Sequence, residues 1–239
     1  MHDHVATNSL PIDQKTGKMT VGDAILGRHS IRRFKSTPVP ISTIEAILHQ
    51  ASRAPSGTNT QPWKVYCVMG KRRDQLSQAV LDAARKGEKT EEYPYMPAPI
   101  GEPYLTRRRR VGYELYRLYG IERDDYPRRR EAMLRNFEFF GAPVGLFISM
   151  DRALVYGSWL DCGMFMQNIM LSARGHGLET CPQQAWCEFG QVVHDQLDIP
   201  ADQILISGMS LGYADFDAPE NTLVSEREPL EHFVTFLSD

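Results

Sequence analysis

The stretch Ser158 to Arg174 constrains this chain more than any other. Set on a helix, its apolar residues cover most of the girth, from Trp159 and Leu160 through Phe165 to Ile169 and Met170. A helix apolar on most sides belongs in an interior. The remaining chain must wrap it in layers. Gly175 and Gly177 supply its end.

The wrapping elements follow from period and punctuation. Thr20-Val21-Gly22-Asp23 has the form of a capping box and predicts a first helix. Ser42 to Glu45 predicts a second, with Ile44, Ile47, Leu48 and Ala51 on one face, stopping before Pro55. Trp63–Met69, Val144–Met150, Leu178–Gln184 and Gln203–Tyr213 read as strands. Lys71–Arg85, Thr106–Tyr119, Pro127–Phe140, Phe189–Leu197 and a short Pro229–Leu237 read as helices. Gly87 to Pro103 holds four prolines and reads as irregular. Residues 1–18 are a polar, mobile tail, and 19–239 form one layered domain with a helical insertion at about 87–135.

Composition narrows the class. With 42% hydrophobic and 24% charged residues, the 239-residue chain is neither disordered nor a disulfide mini-scaffold. A net charge of -3 gives no global basic field for nucleic acid. Apolar runs fall short of the roughly 20 residues of a membrane span. Cys67, Cys162, Cys181 and Cys187 lack CxxC spacing and read as reduced thiols of a cytoplasmic protein. His2-Asp3-His4 reads as polar tail, so no metal site is expected. A GxGxxG turn after the first strand is missing, which disfavours a Rossmann dinucleotide site.

Four segments could carry chemistry. Arg28-His29-Ser30-Ile31-Arg32 offers two planar guanidiniums and a hydroxyl, a donor set that suits phosphate oxygens, although a solvated basic turn has the same composition. Ala54 to Trp63 is a loop crowded with short polar side chains, able to face a heteroaromatic ring or to be an ordinary turn. Glu179 to Trp186 is a strand end with backbone amides, or a buried edge. Asn221 to Leu230 holds Arg227 between two glutamates, which also fits a surface ion pair.

In this order and spacing the four segments resemble the nitroreductase family of flavin enzymes. Arg28, His29, Ser30, Arg32 and Phe34 match R-[RH]-S-x-R-x-F. Ala54, Pro55, Ser56, Asn59, Gln61, Pro62 and Trp63 match A-P-S-x-x-N-x-Q-P-W. Gly177, Leu178, Thr180 and Pro182, then Gly208, Gly212 and Tyr213, then Arg227, Pro229 and Leu230 complete the set. The resemblance covers about residues 20–237. Asn136 to Pro143, after an arginine-rich insertion, looks most like the nitrobenzoate and nitroaromatic reductase branch.

The resemblance implies an α+β fold with a mixed, mainly antiparallel sheet flanked by helices. It implies a homodimer with FMN at the interface and a C-terminal extension crossing to the partner. Arg28, His29, Ser30, Arg32 and Arg227 would hold the ribityl phosphate and nearby oxygens. Pro55, Ser56, Gly57 and Asn59, with Gln61 less central, would come from the other subunit. Pro182, Gln183, Gln184 and Ala185 would line the flavin, with a backbone N–H near N5, and Asn136 would lie close by. Family members often have glycine where Gln184 or Ala185 stands, and a basic residue where Ser225 stands.

The implied reaction is ping-pong: NADH or NADPH reduces FMN, then a small nitroaromatic acceptor is reduced, with no protein nucleophile. The same fold also fits reductive dehalogenation, enone reduction, heterocycle oxidation, or a non-catalytic flavin-binding protein. Residues 107–135 hold ten arginines against five acids, a net +5. They read either as solvated, ion-paired helices or as a lid that draws in anions.

Overall fold

Strand β2 (Val144–Asp151) is buried over its whole length except Asp151. Alternate side chains enter different layers: Phe147 joins one apolar cluster, while Leu146, Ile148 and Met150 join the other. A strand buried on both faces has to be central. β2 indeed lies between β1 (Lys64–Met69) and β4 (Gln203–Gly212), with β3 (Glu179–Gln183) beyond β4, in the order β1-β2-β4-β3. All three pairings are antiparallel, and β2 shifts register between Ile148 and Ser149. This is a computed structural model, and it describes residues 19–239; the tail 1–18, with His2-Asp3-His4, lies outside the described residues.

Seven α-helices accompany the sheet among the described residues. They are α1 (Val21–Gly27), α2 (Ile41–Ala51), α3 (Gly70–Lys86), α4 (Tyr104–Leu118), α5 (Tyr126–Leu134), α6 (Tyr156–Gly175) and α7 (Gly190–Leu197). Thr20 caps α1 through the expected capping box with Asp23. On one sheet face α3 and α7 enclose Phe139, Phe147 and Trp186, all fully buried. Trp186 lies against β4 because Gly208 has no Cβ; one built there would come within 2.3 Å of the indole ring. Truncating a fully buried aromatic of this kind costs about 3–5 kcal/mol. On the other face α2 and α6 bury Ile44, Ile47, Phe165 and Ile169.

Three expectations are corrected. α6 buries Cys162, Phe165, Ile169 and Ala173, but Tyr156, Leu160 and Met164 stay open at 89%, 71% and 39% exposure. Its girth is thus not wholly interior within one chain. The second arginine-rich helix, expected to run to Phe140, stops at Leu134 and tightens into 3-10 turns over Arg135–Gly141. Phe139 and Phe140 there take φ of 52° and 54°, a left-handed backbone disfavoured for aromatic residues. Burial of both rings in the core overrides that local cost. The final helix reduces to one turn at Leu230–His232, since Phe233, Phe236 and Leu237 find no surface of this chain to cover.

Candidate active site

The end of α1 is fixed by a buried ion pair. Arg174 of α6 donates from Nη1 to the Gly27 carbonyl (2.9 Å) and to Glu179 Oε1 (2.6 Å). Gly27 is required there, because a Cβ would meet the Arg174 guanidinium at 2.6 Å. Both partners are almost wholly enclosed, and Arg174 Nε and Glu179 Oε2 have no hydrogen-bond partner. Burial outweighs the Arg174 charge and pushes the Glu179 carboxyl up to about 7.

Directly after this anchor, Arg28 is half-buried, with Nη1 4.0 Å from Met170 Sδ. No carboxylate stands within 4 Å of it among the described residues. Burial first, then the positive charge of Arg227, lowers its pKa. Glu179, whose charge acts the other way, is held by Arg174, so Arg28 has no carboxylate of its own. Arg227 turns Nη1 back to Ser225 O and Oγ and to Glu226 O, and meets no carboxylate. Its neighbours Glu226 and Glu228 are instead taken by Arg110 and Arg107.

The segment that follows is clasped by Asn221, which is 1% exposed. Its Oδ1 accepts from the backbone N–H of Arg32 (2.6 Å) and Arg33 (3.2 Å). Its Nδ2 donates to the carbonyls of Arg33 and Asp215, both at 2.8 Å. Its own carbonyl lies 2.9 Å from His29 Nε2, and His29 Nδ1 lies 3.1 Å from Gly27 O. Both ring nitrogens of His29 thus face backbone carbonyls. Arg32 Nη1 donates to Ser30 O (3.3 Å), and Glu220 holds both Arg33 and Arg135 at 3.0 Å. From sequence, Asn221 opens the segment that carries Arg227 but has no role of its own; the structure gives it one.

The strand end joins this cradle within one chain. Ile31 N–H donates to Thr180 O (3.2 Å), so β3 runs alongside residues 28–33. Gln183 is fully enclosed, donating to Asn136 O (2.7 Å) and accepting from Ser210 Oγ (2.6 Å). Gln184 is exposed and donates to Tyr93 Oη, and Ala185 is part-buried. Pro182 and Ala185 flank them at the end of β3 and in the 3-10 turn Gln184–Glu188, whose first N–H groups have no intrahelical acceptor. Asn136 Nδ2 donates to Met133 O.

The loop of residues 55–61 is elsewhere. Gly57 N–H donates to Asp161 near the start of α6, at 3.3 Å to each oxygen. Ser56 Oγ accepts from Gln61 N–H (3.0 Å), and Gln61 Nε2 donates to Asn59 O. Thr58, Asn59 and Gln61 take φ of 47°, 61° and 47°, and Pro55, Gly57, Asn59 and Gln61 are exposed. The cradle is anchored to Arg174, the loop to Asp161 on the same helix. Thirteen helical positions separate them, about 20 Å along the axis. One chain brings together Arg28, His29, Ser30, Arg32, Arg227, Asn136 and Pro182–Ala185, and leaves the loop apart.

Among the described residues no group of three His, Cys, Asp or Glu could hold a metal, and no helix is long and apolar enough to cross a membrane.

Comparison with known proteins gives one consistent result. The model of the nitroreductase family matches residues 25–213. A nitrobenzene nitroreductase of Ectopseudomonas oleovorans is 41% identical over 92% of this chain and 97% of its own. A 4-nitrobenzoate reductase of Nocardioides sp. (strain LMS-CY) is 39% identical over 91% of this chain and 90% of its own. The crystal structure of the FMN and NADPH-dependent nitroreductase NfnB from sphigopyxis sp. strain HMH superposes with a TM-score of 0.90 at 36% identity, covering 92% of this chain and 100% of that one.

Proposed function

Since the chain belongs to the nitroreductase family, we propose that it is an FMN-dependent oxidoreductase that draws electrons from NADH or NADPH and reduces nitroaromatic compounds. The observation that carries this reading is the unbalanced pair Arg28 and Arg227. Arg28 is half-buried beside the exposed Arg227, and the one carboxylate whose charge reaches it, Glu179, is bonded to Arg174. A phosphate group supplies a counter-charge, and guanidiniums hold it through short charge-assisted bonds.

Bound FMN supplies the two-electron relay between nicotinamide donor and nitro acceptor. The residues of this chain do the rest. Arg28, Arg227 and Ser30 hold the phosphate, while Arg32 faces the neighbouring oxygens. His29 and Asn221 fix the backbone that presents them, since their polar atoms are spent on main-chain partners. Pro182, Gln183, Gln184, Ala185 and Asn136 line the ring. Gln183 is locked at both ends of its amide, so this wall is rigid.

Pro55, Ser56, Gly57, Asn59 and Gln61 are assigned to the flavin of a second copy; in support, their anchor on α6, Asp161, stands about 20 Å along the helix from Arg174, the anchor of the cradle. The open stripe Tyr156, Leu160 and Met164 lies on one face of that helix at i, i+4 and i+8, a surface for the same homodimer. The exposed Phe233, Phe236 and Leu237 give the C-terminal extension an apolar edge with which to cross to the partner. Four free cysteines fit a reducing compartment such as the cytoplasm. The test is a visible spectrum with sedimentation: a yellow species of twice the chain mass, about one FMN per chain, bleached by NADH or NADPH under nitrogen and restored by nitrobenzene. A colourless protein that ignores added FMN overturns the reading, and a yellow monomer at nanomolar concentration overturns the dimer.

A further inference from the structure

A cavity of about 370 Å³ opens between the end of α3, α5 and the turn after β3. That volume lies in the range of roughly 300–1,000 Å³ that small-molecule sites occupy. Its walls are mainly apolar and aromatic, with Tyr116, Tyr126, Phe137 and Phe189 among them, and they include Asn136 and Ala185 of the candidate site. Three cations line it, Lys89, Arg129 and Arg130, against one acid, Glu188. Glu188 is already ion-paired with Lys89.

Arg129 and Arg130 meet no carboxylate among the described residues, unlike Arg107, Arg110, Arg117, Arg128 and Arg135. The Arg129 guanidinium lies 4.5 Å from the Tyr116 ring centre and 5.7 Å from that of Tyr126, and donates once, to Arg123 O. Arg130 donates from Nη2 alone, to the carbonyls of Ala84 and Arg85 at 3.4 and 3.3 Å. Each guanidinium has five N–H donors, so most remain unspent. Two tyrosine rings flank Arg129, and both guanidiniums line a largely apolar space whose volume accommodates one aromatic ring.

The geometry points to a binding site for a small aromatic carboxylate, its ring among Tyr116, Phe137 and Phe189 and its carboxylate on Arg129 and Arg130. On the proposed function, this names the acceptor class the enzyme favours: nitroarenes carrying a carboxylate. Arg129 and Arg130 are then specificity-determining residues, set apart from the phosphate cradle.

The test uses the FMN-loaded enzyme and two readouts. Benzoate, which cannot be reduced, is titrated calorimetrically; 4-nitrobenzoate and nitrobenzene are compared as acceptors with NADH. The variants are Arg129→Gln/Arg130→Gln, and Arg108→Gln/Arg109→Gln as an exposed-charge control on α4. We expect the first pair to weaken benzoate binding and to lower kcat/KM for 4-nitrobenzoate by about tenfold or more, with nitrobenzene changed less than about twofold. The control should leave benzoate binding as it was. Benzoate binding equal in wild type and the Arg129/Arg130 variant overturns the site. So does an equal fall for both acceptors. A loss of NADPH use relative to NADH, with benzoate binding intact, assigns the two arginines to the donor's phosphate and also overturns it. If the double variant fails to fold, Arg130→Gln alone, whose side chain is exposed, carries the same comparison. Wild-type enzyme that binds benzoate but reduces neither acceptor refutes the proposed function and leaves the binding site standing.

Discussion

The cradle at residues 28–33 and the insertion at 107–135 both draw on arginine, and they use it in opposite ways. Arg28 is half-buried beside another cation and has no carboxylate within 4 Å, the nearby Glu179 being taken by Arg174. In the insertion, five of the ten arginines meet an acid: Arg107 with Glu228, Arg110 with Glu226, Arg117 with Glu114, Arg128 with Asp125 and Arg135 with Glu220. Three of these acids, Glu220, Glu226 and Glu228, lie outside the insertion, so much of its +5 is met by the chain itself, two arginines by the C-terminal segment. Arg107 and Arg110, which as sequence could have been a free anion-drawing lid, take the ion-paired reading. The number of cations in a segment says little about a binding site; the supply of acids around each one decides.

The sharpest way to break this contrast is Arg28→Ala. Each charge-assisted bond it would make to a phosphate contributes roughly 1.5–3 kcal/mol, so FMN affinity should fall about tenfold to a hundredfold in a fluorescence titration of the apoprotein. Cys181→Ser, a buried neighbour with no charge to offer, should change it far less. Equal retention of FMN in both would take Arg28 out of the site.

A smaller effect tests the anchor under the cradle. The folded-state value of Glu179 is raised from 4.5 to about 7, so the folded chain keeps a proton that the unfolded chain releases. The contribution of this group to stability is therefore greatest at low pH, falls as pH rises from about 4.5 to about 7, and is level above that. Melting temperatures of wild type and Glu179→Gln, measured from pH 5 to pH 8, should converge in slope above pH 7, with the steeper decline below it in wild type. Parallel curves would show that the carboxyl is ionised throughout.

The least expected change is in the insertion. Arg107→Gln/Arg110→Gln breaks two exposed pairs, each contributing less than about 1 kcal/mol. Stability should barely move, while limited proteolysis within 224–239 should quicken as the tail loses its two ties to α4. A melting temperature lowered as much as by a core truncation would mean that the insertion's charges are structural after all.

Much of this was legible in the chain, for definite reasons. β2 reads as a continuous apolar run because both its faces are covered. The capping box at Thr20 is local chemistry and acts wherever it occurs. The arginines and hydroxyl of residues 28–32 announce a phosphate-type donor set by composition alone. What escaped was decided at long range. Phe139 and Phe140 turn left-handed to reach a core that no local pattern reveals. Asn221 works by meeting backbone groups nearly two hundred positions away, and an asparagine in an irregular stretch gives no sign of that. The apolar girth of α6 was legible, but the pattern does not tell which of its apolar residues this chain covers and which, like Tyr156, Leu160 and Met164, it leaves open.

The Asn221 clasp also orders events in time. It joins Arg32 to a residue 189 positions later, near the far end of the chain. During synthesis the N-terminal segment that carries Arg28 emerges first and waits without its clasp. A ribosome adding about 5–20 residues per second completes that stretch only after roughly ten seconds or more. The clasped form of residues 28–33 is thus completed only when nearly all of the chain has been made.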